Sequence, residues 1–156
     1  MTARRSAGLL LYRTGDRGTE VLLGHMGGPF WARRDAGAWS IPKGEYDDGE
    51  EPLGVALREF AEELGQPAPA GEFTVLGDVR QAGGKQVRVW AAAGDLDPAT
   101  AVSNTFTLEW PRGSGVLREY PEVDRAAWFA VEEARTRLVK GQVAFLDRLL
   151  DALADE

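Results

Sequence analysis

Gly44-Glu45-Tyr46-Asp47-Asp48-Gly49-Glu50-Glu51-Pro52-Leu53-Gly54-Val55-Ala56-Leu57-Arg58-Glu59-Phe60-Ala61-Glu62-Glu63-Leu64-Gly65-Gln66 is the stretch that decides the fold. Between Glu51 and Leu64 the apolar residues Leu53, Val55, Ala56, Leu57, Phe60, Ala61 and Leu64 recur near the helical period, which predicts a helix. Pro52 suits its first turn, and Gly65 suits the position just past its end. With roughly 100° of rotation per residue, Glu59, Glu62 and Glu63 project from one side of that helix. Like charges three and four apart destabilise an isolated helix, so the trio is self-repelling until a cation sits among it. Carboxylate oxygens are the hard ligands that Mg²⁺ prefers, and that ion usually keeps waters and shares substrate phosphates. A solvated acidic face is the ordinary fate of surface glutamates, and the three taken alone favour that reading. Arg58 inside the acidic run, Glu50 ahead of the helix, and the Pro42-Lys43-Gly44 turn together weigh toward a cation site.

On the N-terminal side, Ala7 to Tyr12 and Val21 to His25 are predicted strands separated by the polar turn Thr14 to Gly18. A glycine-containing loop spans Met26 to Gly37, and Trp39 to Ile41 is a brief strand stopped by Pro42. On the C-terminal side, Phe73 to Val79 and Gln86 to Ala93 form a strand pair across a turn with Gly83 and Gly84; Val87, Val89 and Ala91 alternate as in a half-buried strand. Thr105 to Trp110 is a further strand, followed by a loop. Ala127 to Val131 is a last strand, and Glu132 to Leu138 and Gln142 to Leu153 are closing helices, the second with Leu146, Leu149, Leu150 and Leu153 on one face.

The 156 residues, 44% hydrophobic, suit one domain over 1–156 with its own core. A net charge of -7 argues against a stable nucleic-acid partner, because polyanion affinity comes from clustered Lys and Arg. The absence of cysteine excludes disulfides, thiolate metal sites and thiol nucleophiles. Arg4 and Arg5 precede an apolar run too short for a signal peptide, and no segment approaches the ~20 apolar residues that span a bilayer. A cytoplasmic protein without a membrane partner is expected, as monomer or homodimer.

The stretch resembles the signature of the Nudix hydrolase family: Gly, five residues, Glu, seven residues, Arg-Glu, an apolar residue, any residue, Glu-Glu, any residue, Gly, apolar. Gly44, Glu50, Arg58, Glu59, Phe60, Glu62, Glu63 and Gly65 stand at those spacings, giving a box over 44–66 in which only Gln66 departs. The resemblance implies an α/β fold, the Nudix α/β/α sandwich with a mixed β-sheet between helices. It also implies a pyrophosphohydrolase using Mg²⁺ (or Mn²⁺), with Glu59, Glu62, Glu63 and the Gly44 carbonyl as ligands and Arg58 with Glu50 as an orienting pair. In that chemistry the cations neutralise phosphate charge and acidify a water that attacks one phosphorus. Glu59 is the first choice for accepting the water's proton; Glu122, in Pro121-Glu122-Val123-Asp124, is the candidate from a later loop, and Glu119 the next.

Lys43 is similarly placed to the lysine that enters the box in the diadenosine tetraphosphate hydrolase-like branch, where a point cation can hold a phosphate. Arg112, Arg33 and Arg34 lie in loops and are candidates for a polyphosphate tail. Of the five tryptophans most are expected in the core; Phe30 and Trp31 are the stacking candidates for a base, with Trp110 another. His25 is expected to pack or hydrogen-bond rather than to catalyse. The expected substrate is a nucleotide small molecule, a dinucleoside polyphosphate or nucleoside triphosphate. The competing function is a non-catalytic Nudix-fold nucleotide-binding or regulatory module, against which the intact box argues.

Overall fold

The N-terminal apolar runs pair as a hairpin, β1 (Arg5–Gly15) with β2 (Gly18–Met26), closed by the two residues between the partners Gly15 and Gly18. The computed structural model describes residues 4–155. Both strands outrun their predicted limits because pairing continues through Arg13 with Glu20 and Thr14 with Thr19, polar cross-strand pairs that hydropathy does not mark. The chain then forms β3 (Trp39–Ser40) beside β2 and, after Pro42, β4 (Lys43–Glu45) beside β1. Helix α1 (Pro52–Leu64) follows, then the antiparallel pair β5 (Thr74–Arg80) and β6 (Gln86–Ala93). β6 runs parallel to β1 from Arg5 opposite Gln86 to Tyr12 opposite Ala93, which makes the sheet mixed. A separate ribbon, β7 (Thr105–Glu109) with β8 (Leu117–Pro121), leads into β9 (Val123–Ala130) on the far side of β2. Helices α2 (Val131–Arg137) and α3 (Ala144–Ala154) close the chain.

The main sheet runs β3-β2-β1-β6-β5, with β4 also on β1 and β9 also on β2. Alternation along β1 sends Ala7, Leu9 and Leu11 to one face, where they meet Val55, Ala56, Phe60 and Leu64 of α1. Leu10 joins Val87, Val89 and Ala91 on the other face against Phe145, Leu146 and Leu149 of α3. Two hydrophobic layers on one mixed sheet form the expected α/β/α sandwich. No described helix is long and apolar enough to cross a membrane.

Several expectations change: Lys43–Glu45, expected in a turn, is strand β4 on β1, and the last strand starts at Val123 rather than Ala127. Leu117–Pro121 is a strand rather than loop; its first three residues are exposed, so no buried face imposes an apolar alternation on it. Of the tryptophans only Trp39 is fully buried, its indole N–H donating to Asp35 at 2.8 Å; Trp31, Trp90 and Trp128 are half-buried and Trp110 is exposed.

The β3–β4 connection, which delivers Lys43 and Gly44, is held by Gln142. Its buried side-chain oxygen accepts the Ile41 N–H at 2.8 Å, and its amide donates to the Ser40 hydroxyl at 3.0 Å. Replacing Gln142 with Leu strands the Ile41 N–H away from water, so Gln142→Leu is expected to lower unfolding free energy by about 1–3 kcal/mol, measured by urea denaturation followed by tryptophan fluorescence.

Candidate active site

Rotation of α1 is set by Ala56, Phe60 and Leu64, which lie four residues apart and are each fully buried on the sheet. The helix begins after Glu51, whose carbonyl accepts the Val55 N–H at 3.0 Å, with Pro52 in the first turn. It ends at Gly65, whose φ of 72° is the left-handed conformation a side chain resists and whose N–H reaches Ala61 O at 2.8 Å. With the apolar stripe held down, Glu59 and Glu63 turn toward β4. Glu63 is only 9% exposed, and its carboxylate accepts the Lys43 backbone N–H at 3.2 Å. A Cβ on Gly44 would stand 2.2 Å from the Glu59 carboxyl carbon, so glycine there is required by the approach of that carboxylate.

Burial, then the charge of Glu59, pushes the Glu63 carboxyl up to about 8, against the opposing hydrogen bond and charge of Lys43. Glu59 is also raised, by burial and then by Glu62, with Arg58 opposing. Burial raises Glu122, and burial followed by the charge of Lys85 lowers the Lys43 ammonium. Arg58 spans the acidic group from outside, at 3.2 Å from Glu50, 3.8 Å from Glu59 and 3.9 Å from Glu62. The Glu50 carboxylate is held below its ordinary range by the Asp47 N–H, at 2.9 Å, and by Arg58. Arg58 and Glu50, the pair that the family resemblance singled out, are thus in contact.

Lys43, Gly44, Glu59, Glu62, Glu63 and Glu122 line one pocket of about 410 Å³. Glu122 arrives from the far end of the sheet. A bulge between His25 and Met26 shifts the β2–β9 register beside it, and its backbone is fixed by Asn104 O at 2.9 Å and Gly27 N at 3.0 Å. A Cβ on Gly27 would come 1.8 Å from Pro121 O, so that second glycine is also a packing requirement. Glu119, the other loop candidate, is occupied on the ribbon by the Thr105 hydroxyl and does not line the pocket.

Phe30, Trp31 and Arg112 also lie off the pocket lining. Trp31 packs against the core and meets Phe30 edge-on, while Phe30 is 53% exposed with the Arg34 guanidinium 4.2 Å from its ring centre. Arg112 sits in the turn between β7 and β8. His25 is buried, with Nδ1 2.9 Å from Asp124 and Nε2 2.6 Å from Arg34 O, so it ties the aromatic loop to the segment bearing Glu122. Gln66, the one departure from the box, donates to the Thr100 hydroxyl, and the helix end is intact.

Sequence reasoning missed Ser6, Lys85 and Asn104, all on the pocket wall. Lys85 offered only the signal of a cation after Gly83-Gly84 at the start of an alternating strand, and Ser6 is one polar residue at the head of an apolar run.

Among the described residues no three His, Asp or Glu side chains stand so placed that they could hold a metal ion by themselves. An open set suits Mg²⁺, which keeps waters and takes phosphate oxygens. The donors are all hard oxygens, the cleared space at Gly44 brings the Glu59 carboxylate against β4, and burial raises Glu59 and Glu63 despite Arg58 and Lys43 beside them. The residues therefore fit a divalent ion.

Without divalent cation, folded Glu63 holds its proton to about pH 8, whereas the unfolded carboxyl releases it near 4.5. The folded state then binds more protons between those values, so stability falls as pH rises through that window. Glu63→Gln removes this loss. Melting curves in chelator are expected to show the variant gaining on wild type from pH 5 to pH 8; a difference constant with pH contradicts the buried-proton account.

The NUDIX domain family model matches residues 2–149. Over 36 residues the chain is 53% identical to an RNA pyrophosphohydrolase of Cereibacter sphaeroides, a stretch covering 23% of this chain and 22% of that protein. The chain thus spans about a fifth of the length of the curated relative it matches. Among solved structures it is similar to the NUDIX domain of Shewanella oneidensis NrtR complexed with ADP ribose, with TM-score 0.68 and 16% identity over 98% of this chain and 90% of that one. It is also similar to a binary complex of the C. elegans Ap4A hydrolase, with TM-score 0.64 and 22% identity over 99% and 100%. These two likenesses speak for the fold. The family match over nearly the whole chain, joined to a box whose glutamates and glycine the fold brings together, means that this chain belongs to the Nudix family.

Proposed function

We propose that the chain is a metal-dependent pyrophosphohydrolase that cleaves a phosphoanhydride bond in a nucleoside diphosphate-linked substrate, either a dinucleoside polyphosphate or a nucleoside triphosphate. The observation that carries this reading is the juxtaposition, in one pocket, of the Glu59, Glu62, Glu63 and Glu122 carboxylates with Lys43 and Lys85. Acids alone suit a cation and lysines alone suit an anion; both together suit a polyphosphate carried with its counter-ion.

Glu59, Glu62, Glu63 and the Gly44 carbonyl would hold Mg²⁺ or Mn²⁺. When bound, the ion supplies positive charge against the phosphates and lowers the pKa of water at the reacting phosphorus. Arg58, braced by Glu50, keeps Glu59 and Glu62 aimed inward. Glu59 is engaged by Arg58, whereas among the described residues the Glu122 carboxylate has no hydrogen bond or ion pair and is raised by burial, which favours Glu122 as the proton acceptor. A carboxyl raised above its ordinary value is suited to that role. Lys43 and Lys85 neutralise the phosphates on the leaving side. A pocket of about 410 Å³ takes phosphates rather than a whole dinucleotide, leaving the exposed Phe30, backed by Arg34, as the aromatic face for a base outside it. The RNA pyrophosphohydrolase and Ap4A hydrolase names among similar proteins support anhydride cleavage as the reaction class.

A panel of dinucleoside polyphosphates, nucleoside triphosphates, nucleotide sugars and capped RNA, assayed with Mg²⁺ and Mn²⁺ and resolved by chromatography, tests this reading. Turnover is expected on the first two. Binding without turnover would instead identify a nucleotide-binding module. Glu62→Gln and Glu63→Gln are expected to abolish metal-dependent turnover with the fold retained. Glu122→Gln is expected to lower kcat by about 10²–10⁴ with Mg²⁺ affinity kept; unchanged kcat would return the role of base to Glu59.

A further inference from the structure

The side-chain oxygen of Ser6 is buried and has no hydrogen-bond partner, the one such buried side-chain polar atom among the described residues. Ser6 is 1% exposed, yet it stands on the wall of the pocket that holds the carboxylates. A buried hydroxyl without a partner has lost its water and gained nothing, so its presence in a native fold calls for a reason.

Sheet register shows what surrounds it. Ser6 lies opposite Glu45 on β4 and opposite Val87 on β6, and Gly8, two residues on, lies opposite Lys43. Side chains alternate along a strand, so Ser6 and Lys43 share a face. Lys85 is extended, with φ -63° and ψ 132°, and stands two residues before Val87, which brings it to the same face. Ser6 therefore occupies the central strand, between flanking strands that each supply a lysine. Gly44, one residue from Lys43, turns the other way toward Glu59. At this end of β4 the pocket thus has the Glu59 side and, across the strand, a side that carries both lysines and an idle hydroxyl, together with Glu45, which is ion-paired to Arg4 at 3.7 Å.

We propose that Ser6 is a substrate-binding residue, whose hydroxyl donates a hydrogen bond to a non-bridging oxygen of a phosphate held between Lys43 and Lys85. An O–H donor meeting an anionic oxygen forms a charge-assisted bond, stronger than one between neutral groups. Two ammonium groups supply charge without fixed direction, and a serine hydroxyl on a paired strand supplies direction. The assignment rests on the reading that the pocket takes a polyphosphate. It also separates substrates by class. A chain that continues beyond the attacked anhydride puts a phosphate at Ser6, whereas a nucleotide sugar puts a neutral ring there and leaves the hydroxyl idle.

A structural serine and a ligand-binding serine predict opposite responses in the free protein. Ser6→Ala deletes an oxygen that has no partner until substrate arrives, so the ligand-free variant is expected to melt no lower than wild type. Its affinity for inorganic tripolyphosphate in Mg²⁺, measured by calorimetry, is expected to fall about tenfold, and kcat/KM on nucleoside triphosphate to fall with it. Equal tripolyphosphate affinity in variant and wild type overturns the contact. So does a lower ligand-free melting temperature, which marks a structural serine, and so does a wild type that fails to bind tripolyphosphate. If wild type binds tripolyphosphate more tightly than Ser6→Ala but hydrolyses no member of the nucleotide panel, the proposed activity fails while the Ser6 contact stands.

Discussion

Burial of the Glu63 carboxylate against the Lys43 backbone, with Glu59 beside it, is the constraint around which the site is arranged. Taking a carboxylate out of water without a full partner is costly, and a second carboxylate next to it adds to the cost. One backbone N–H does not offset this. The protein carries the cost because the hydrophobic stripe of α1 leaves the acidic side no freedom to rotate away: Ala56, Phe60 and Leu64 are fully buried on β1 and its neighbours. Core packing thus holds charge in a position that charge alone would avoid, and that tension gives the site its demand for a cation or a proton.

Backbone requirements follow from the same approach. Gly44 clears the space that the Glu59 carboxyl occupies, and Gln142 holds the preceding connection so that β4 lies where α1 can reach it. Across the sheet, Gly27 permits the contact with Pro121 that carries Glu122 into the pocket. His25, set between Asp124 and Arg34 O, joins the aromatic loop to that same segment. Two parts of the chain distant in sequence are therefore adjusted to one another through a buried imidazole outside the pocket.

The charge distribution accounts for how an acidic chain can take an anionic substrate. A net charge of -7 disfavours general association with polyanions. Lys43 and Lys85 line the same pocket as the carboxylates and provide local cations; under the proposed function one side of the pocket would hold a counter-ion and the other phosphate. Of the three arginines considered for a polyphosphate, Arg34 lies over Phe30 instead and Arg112 sits out on the ribbon turn.

Residues close in sequence and bound to one periodic element were legible without coordinates. The helix limits, the capping Gly65 and the common side of Glu59, Glu62 and Glu63 follow from 3.6-residue geometry acting over a few turns, whereas the pairing of Arg58 with Glu50, which lies ahead of the helix, came only from the family resemblance. The main strands were legible too, since each buries a face and therefore alternates or runs apolar. Three features were decided only by tertiary structure. Strand β8 carries no alternating apolar pattern and is mostly exposed, so it left no signal, unlike its partner β7. Glu122 and Glu119 both read as loop acids in the sequence, and only the strand register shows that Glu122 lines the pocket while Glu119 meets the Thr105 hydroxyl on the ribbon. Ser6 and Lys85 become pocket residues because β1 pairs with β4 on one side and runs parallel to β6 on the other. Local periodicity sets which way a side chain points along its own element, and long-range strand register sets what it points at.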